Sequence, residues 1–113
     1  MTGRTANIHP DLKRTIVELE HRLGMEVTIT SGYRDPEHNQ DVGGVEGSEH
    51  TYDPAQGVDI LCKRSVTRFR MLRELLDMGV QRIGIGKDFL HVGIAADKPQ
   101  GVVWTYYPAS ESV

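Results

Sequence analysis

A single cysteine, Cys62, is all that this 113-residue chain carries. An internal disulfide is therefore impossible, and a zinc cluster built on several thiolates is excluded. Cys62 follows the apolar segment Val58-Asp59-Ile60-Leu61 and reads as a small buried residue rather than a nucleophile. Long apolar runs are missing as well. No stretch approaches the roughly 18 apolar residues of a membrane span, so none is expected. Met1 to Glu20 is charged throughout and has no apolar centre of the secretory-signal kind. There is no excess of positive charge: 13 Lys and Arg stand against 16 Asp and Glu, a net charge of -3. That balance argues against nucleic acid as the main partner. The densest basic run, Lys63 to Arg73, has the spacing of a solvated helix face. Internal repeats and low-complexity linkers are also lacking.

What is present fits one soluble domain, spanning residues 1–113, with a tail frayed after about Pro108. Hydrophobic residues make up 38% and charged residues 26%, too apolar for a disordered chain. Leu12, Ile16, Leu19 and Leu23 recur at helical spacing, which predicts a helix over Asp11–Leu23 stopped by Gly24. Val27 and Ile29 alternate with polar neighbours and predict a strand over Glu26–Thr30. From Ser31 to Ala55 the chain is polar and glycine-punctuated, with one or two helical turns expected from Pro36. An irregular stretch this long inside a small domain is usually functional.

Regular patterning then resumes. Gly57–Leu61 reads as a strand. Ser65 is placed to cap a second helix through Met78, with Phe69, Leu72, Leu75 and Leu76 inward and Gly79 at its end. Arg82–Gly86, Phe89–Ile94 and Val102–Tyr106 read as three further strands in an antiparallel meander. The expected class is α+β: two main helices packed on a small, mainly antiparallel sheet.

Two residues break the apolar strands, Asp59 in Val58-Asp59-Ile60 and His91 in Phe89-Leu90-His91-Val92. A buried acid or imidazole must be hydrogen-bonded, ion-paired or metal-bound, because burying it unpaired costs several kcal/mol. Two histidines and a carboxylate form a familiar catalytic zinc set, with a water in the fourth position. Spacing alone leaves a satisfied core histidine as the more common explanation, and the two-histidine helical motif of the zincins is missing.

Five short pieces occur in order: Ser31-Gly32-Tyr33-Arg34, Val42-Gly43-Gly44-Val45, Ser48-Glu49-His50, Gly57-Val58-Asp59-Ile60 and Asp88-Phe89-Leu90-His91-Val92. Together they resemble the zinc D-alanyl-D-alanine carboxypeptidase family, peptidoglycan metallopeptidases that share a fold with the hedgehog signalling domain. The resemblance runs from about Ile29 to Tyr106. It implies a hedgehog/DD-peptidase-like fold and a Zn²⁺ cofactor held by His50, Asp59 and His91. It implies Asp88 as the proton-transferring acid, three residues before the last histidine. Arg34 would stabilise an oxyanion or hold a substrate carboxylate, unless it forms only a surface ion pair with Asp35 or Glu37. Ser48 would hydrogen-bond near the metal or simply cap a turn. His38 is expected at the surface, and Tyr33, Trp104 and Tyr106 are expected to pack rather than bind glycan.

The implied substrate is a peptide bond next to a D-amino acid in a peptidoglycan stem peptide or another D-Ala-containing peptide. Carboxypeptidase, dipeptidase and L-alanyl-D-glutamate endopeptidase activities all occur on the scaffold. A monomer is expected, either cytoplasmic or released to the cell wall by a non-classical or phage lysis route. A catalytically silent zinc-binding interaction domain of the same fold is the competing reading. The chain departs from the family pattern twice. His50 and Asp59 are nine positions apart where relatives usually have seven, which leaves Asp53 as a rival ligand. Val92-Gly93 also stands where many relatives have Val-Asp, removing a carboxylate near the site.

Overall fold

A computed structural model describes residues 1–41 and 47–106. The Val42-Gly43-Gly44-Val45 piece of the resemblance and the tail after Pro108 lie outside the described residues. Among the described residues, three helices and six strands run in the order β1 (Thr2–Gly3), α1 (Pro10–Leu23), β2 (Thr28–Ser31), α2 (Pro36–Asp41), β3 (Gly57–Leu61), α3 (Ser65–Asp77), β4 (Arg82–Ile85), β5 (Phe89–Gly93) and β6 (Val102–Thr105). A 3₁₀ turn over Glu49–Thr51 lies between α2 and β3. The class is α+β, as the pattern implies.

All six strands form one sheet in the order β1-β2-β3-β5-β4-β6. The inner pairs β2–β3, β3–β5 and β5–β4 are antiparallel, while the two edge pairs, β1–β2 and β4–β6, are parallel. The expected late meander is therefore half right. β4 and β5 form the hairpin, but β6 returns alongside β4 in the same direction. Because β6 runs opposite to β5, the 94–101 connection stays at one end of the sheet and steps over β4, so that Gly93, Arg82 and Val102 share one row.

Helices α1 and α3 cover one face of the sheet. Val58, Ile60, Ile83, Leu90 and Val92 alternate with the polar positions of their strands and are fully buried. They meet Leu12, Ile16 and Leu19 of α1 and Met71 and Leu75 of α3 in one hydrophobic core. Helix α1 is written clearly in the sequence. Pro10 stands at its first position, the His9 side chain accepts a hydrogen bond from the Asp11 amide, and Gly24 closes it with φ 69°. Cys62 is buried in the same core, as expected.

Helix α3 differs from expectation on its buried face. Met71 and Leu75 point inward, whereas Phe69 is 66% and Leu76 56% exposed. At 3.6 residues per turn, Phe69 sits about 200° around the axis from Met71 and Leu76 about 100° from Leu75. A helix packed along one narrow stripe cannot bury them all. Ser65 is the first helical residue rather than the cap; Arg64 holds the cap position, without a side-chain bond to the backbone.

The two kinds of position on α3 should respond differently to truncation. Leu75→Ala is expected to cost about 2–5 kcal/mol, because it leaves a cavity under the sheet. Phe69→Ala is expected to stay within about 0.5 kcal/mol, as exposed positions do. Urea unfolding of the two variants compares them directly, and equal losses would contradict the packing described.

Candidate metal centre

The opposite face of the sheet carries the polar residues. Register partners line up across it in one row: Ser31 of β2 with Asp59 of β3, Asp59 with His91 of β5, His91 with Gly84 of β4, and Gly84 with Trp104 of β6. Because β3 and β5 are central, Asp59 and His91 are direct neighbours in the middle of the sheet. His50 reaches the same point from the 3₁₀ turn. Ser48 sets that turn: its Oγ accepts a hydrogen bond from the His50 amide at 3.3 Å, and its carbonyl accepts from the Thr51 amide at 2.9 Å. Ser48 is thus a turn cap that fixes where His50 starts.

Donor atoms of His50, Asp59 and His91 all lie within 4.8 Å of one another, and all three residues are buried. His50 Nε2 is 3.2 Å and His91 Nδ1 3.0 Å from the same atom, Asp59 Oδ1. The other nitrogen of each ring is already engaged. His50 Nδ1 lies 2.8 Å from the Gly32 carbonyl, and His91 Nε2 lies 2.9 Å from Glu49 Oε1.

The chemistry of this donor set fits a cation. A carbonyl oxygen only accepts, so His50 Nδ1 carries the ring proton, and a neutral His50 turns the bare lone pair of Nε2 on a carboxylate oxygen. Two lone pairs at that distance repel unless a positive charge lies between them. Electrostatics point the same way. Burial alone would raise the Asp59 pKa, but the facing imidazoles outweigh it and hold the carboxyl down at about 2. Burial alone would lower the His91 pKa, but the carboxylates of Asp59 and Glu49 outweigh it and raise it. Positive charge is favoured where the three side chains meet.

The remaining candidates fall in different places. Arg34 is half-buried beside the cluster. Its Nε donates to Ser31 Oγ at 3.0 Å and one terminal nitrogen donates to Asn39 Oδ1 at 2.9 Å, while the other lies 3.8 Å from Asp59 Oδ2. It therefore faces the cluster rather than Asp35, whose carboxylate instead accepts from the His38 amide at 2.7 Å in the first turn of α2. Asp53 does not join the cluster. It is exposed and accepts a hydrogen bond from the Asn7 side chain at 2.8 Å.

The lengthened loop is closed elsewhere. The Tyr52 hydroxyl donates to Asp97 at 2.9 Å, the Ala55 amide to the Asn7 carbonyl and the His9 amide to the Ala55 carbonyl. The two extra residues are taken up against the N-terminal segment, and Asp59 keeps its place. Asp88 is not brought to the cluster. It is exposed in the turn just before β5 and is not among the residues whose ligand atoms lie within 4.8 Å of one another. His38 is exposed, as expected. Trp104 packs with its ring centroid 5.5 Å from that of His91.

Sequence reasoning missed Glu49. Its side chain is buried and meets His91, Arg82 and the Ala95 amide, the last two at 3.1 and 3.0 Å. The only hint in the sequence is its place beside His50 in the Ser48-Glu49-His50 piece.

A family model described as Peptidase M15 matches residues 2–93 of the chain. The matched span includes Arg34, His50, Asp59 and His91. No curated protein matches the chain.

The geometry separates the two rival carboxylates. Asp59→Ala is expected to abolish zinc retention, while Asp53→Ala should purify with the zinc content of the unaltered protein. Elemental analysis of both variants after dialysis makes the comparison, and zinc loss from the Asp53 variant alone would reverse the assignment.

Proposed function

The chain belongs to the M15 peptidase family, and from that premise we propose that it is a zinc peptidase of the bacterial cell wall. The bond it cuts lies next to a D-amino acid in a peptidoglycan stem peptide, in the manner of a D-Ala-D-Ala carboxypeptidase or an L-Ala-D-Glu endopeptidase. M15 peptidases are zinc-dependent. One observation carries the reading: ligand atoms of three residues from distant parts of the chain converge, with the outer nitrogen of each imidazole already engaged.

His50 Nε2, Asp59 Oδ1 and His91 Nδ1 would hold the zinc ion, a two-histidine, one-carboxylate set suited to a catalytic site with an open position. Zinc bound in such a set supplies Lewis acidity towards water and a peptide carbonyl. The chain supplies the rest. Arg34, fixed by Ser31 and Asn39, presents its guanidinium on the Asp59 side of the cluster. There it would pair with a terminal carboxylate of the substrate or with the oxygen that gains charge as the peptide bond is attacked. The Gly32 carbonyl keeps the proton of His50 on Nδ1, so that Nε2 stays a ligand.

The role of proton acceptor, and later donor to the leaving amine, goes to Asp88 on motif spacing alone. Because Asp88 is exposed and outside the three-residue cluster, a second reading stands beside the first. A zinc-binding domain of this fold that has given up hydrolysis would hold the metal in the same way and act as an interaction module.

Incubating the zinc-loaded protein with purified peptidoglycan, followed by mass analysis of the fragments, tests activity and identifies the bond together. Stem-peptide fragments lost in Asp88→Asn, with its zinc content unchanged, are the expected result. Undiminished cleavage by that variant would take the role from Asp88, and no fragments from the unaltered protein would favour the interaction module. Metal removal gives an independent check. Free zinc at about 100 times its Kd stabilises the folded state by about 2.7 kcal/mol, so EDTA should lower the Tm by several degrees. An unchanged Tm would argue against a resident metal.

A further inference from the structure

We propose that Glu49 is the positioning residue of the metal centre, the carboxylate that orients His91, and that Gly57 and Gly93 are kept free of side chains to admit it. The proposal rests on the zinc reading above and concerns a residue to which the metallopeptidase resemblance gives no role.

Glu49 Oε1 lies 2.9 Å from His91 Nε2. A carboxylate there accepts a hydrogen bond from the ring N–H, so that with a metal on the Asp59 side the proton stays on Nε2 and the lone pair of Nδ1 is left to the metal. A histidine whose outer nitrogen is held by a carboxylate is a fixed and more basic metal ligand. The other oxygen is held just as firmly. Glu49 Oε2 accepts from the Ala95 amide at 3.0 Å and lies 3.1 Å from Arg82 Nε, in an ion pair that does not meet hydrogen-bond alignment. Arg82 is anchored in turn by a 2.7 Å bond to the Pro99 carbonyl and by the Trp104 ring, 5.0 Å from its guanidinium carbon.

The notch that receives Glu49 is cut from the sheet itself. Gly57 of β3 and Gly93 of β5 are direct register partners. A Cβ at Gly93 would lie 2.2 Å from Glu49 Oε1 and 2.3 Å from Oε2, and a Cβ at Gly57 would lie 2.6 Å from Glu49 Cβ and 2.7 Å from His91 Cε1. Neither glycine is among those with positive φ, so the demand is for space and not for an unusual backbone. Position 93 lies two residues beyond His91 on the same face of β5. A carboxylate borne at position 93 would occupy the volume that the Glu49 carboxylate fills. The glycine at 93 and the acid at 49 are thus two halves of one arrangement, in which the orienting carboxylate comes from the 3₁₀ turn instead of from the strand.

The test measures the metal alone. Zn²⁺ affinity is read by competition with a chromophoric chelator, and the visible spectrum of the Co²⁺ form and the Tm of the metal-free form are recorded alongside. The proteins are the unaltered chain, Glu49→Gln, Glu49→Ala, Gly93→Asp and the double variant Glu49→Ala with Gly93→Asp. Glu49→Ala should weaken Zn²⁺ binding about 10–100-fold and alter the Co²⁺ spectrum. Glu49→Gln, which keeps the shape and one acceptor, should lose less. Gly93→Asp alone should be damaged by the collision, and the double variant should recover most of the affinity and the Co²⁺ spectrum.

A Glu49→Ala protein with unchanged Zn²⁺ affinity and spectrum but a lowered metal-free Tm would make Glu49 a structural residue only and overturn the proposal. If Glu49→Ala does not fold, Glu49→Gln decides by the same two readings. A failure of the unaltered chain itself to bind Zn²⁺ would remove the metal reading and this proposal with it, an outcome distinct from a loss confined to the variants.

Discussion

One carboxylate oxygen facing two imidazole nitrogens inside the protein is the constraint on which the rest of this structure turns. Asp59 Oδ1 stands 3.2 Å from His50 and 3.0 Å from His91, with all three residues buried. Leaving any of these groups without its counterpart costs several kcal/mol, so the surrounding chain must hold them within tenths of an ångström. The sheet order supplies the first part of that precision. β3 and β5 are adjacent and central, which makes Asp59 and His91 register neighbours. Helices α1 and α3 pack on the other face, so the core and the site use opposite sides of the same strands. That division explains why β3 is buried on both faces and why a single acid interrupts an apolar strand.

How much of this could be read in the sequence depends on how local each signal is. Helix α1 was legible because its apolar spacing, its proline and its closing glycine all lie within 15 residues of chain. Strand β3 was legible to its last residue, since a short apolar run bounded by Gly57 and a polar segment needs no partner to be recognised. Strand β1 was not: Thr2–Gly3 has no alternation, and its pairing with β2 defines it. The parallel course of β6 was hidden for the same reason, because Val102–Thr105 alternates in the same way whichever direction it runs. On α3 the count of apolar residues exceeded what one stripe can bury. The sequence therefore could not say that Met71 would be inside and Phe69 outside.

The site divides along the same line. Asp59 and His91 were conspicuous as polar residues in apolar strands, and the ordered motif pieces added His50. Asp53 could be weighed against Asp59 only by context, and the contact that removes it, with Asn7, spans 46 positions. Glu49 looked like one more acid in a polar loop. Its burial comes from His91, Ala95 and Arg82, all more than 30 positions away. The glycines at 57 and 93 read as a strand start and as a lost carboxylate, and only their pairing across β3 and β5 shows a space between them.

The 94–101 connection binds these separate parts. The Ala95 amide holds Glu49, Asp97 holds the Tyr52 hydroxyl, and the Pro99 carbonyl holds Arg82. The first two of these steady the loop that brings His50, and the third steadies the strand beside His91. A β6 joined to β5 by a tight turn would have left no segment long enough to span both. By returning parallel to β4, the chain uses eight residues to cross the end of the sheet, and in doing so it closes the lengthened His50 loop against the strand that carries the last histidine. It also brings Trp104 over Gly84, where a Cβ would meet the indole at 2.8 Å, so that the ring lies close on the sheet beside His91. The family match ends at Gly93, yet the two histidines are held in place partly by residues 94–105. The three clustered residues thus lie in the matched region, and their rigidity is shared with the connection and strand beyond it.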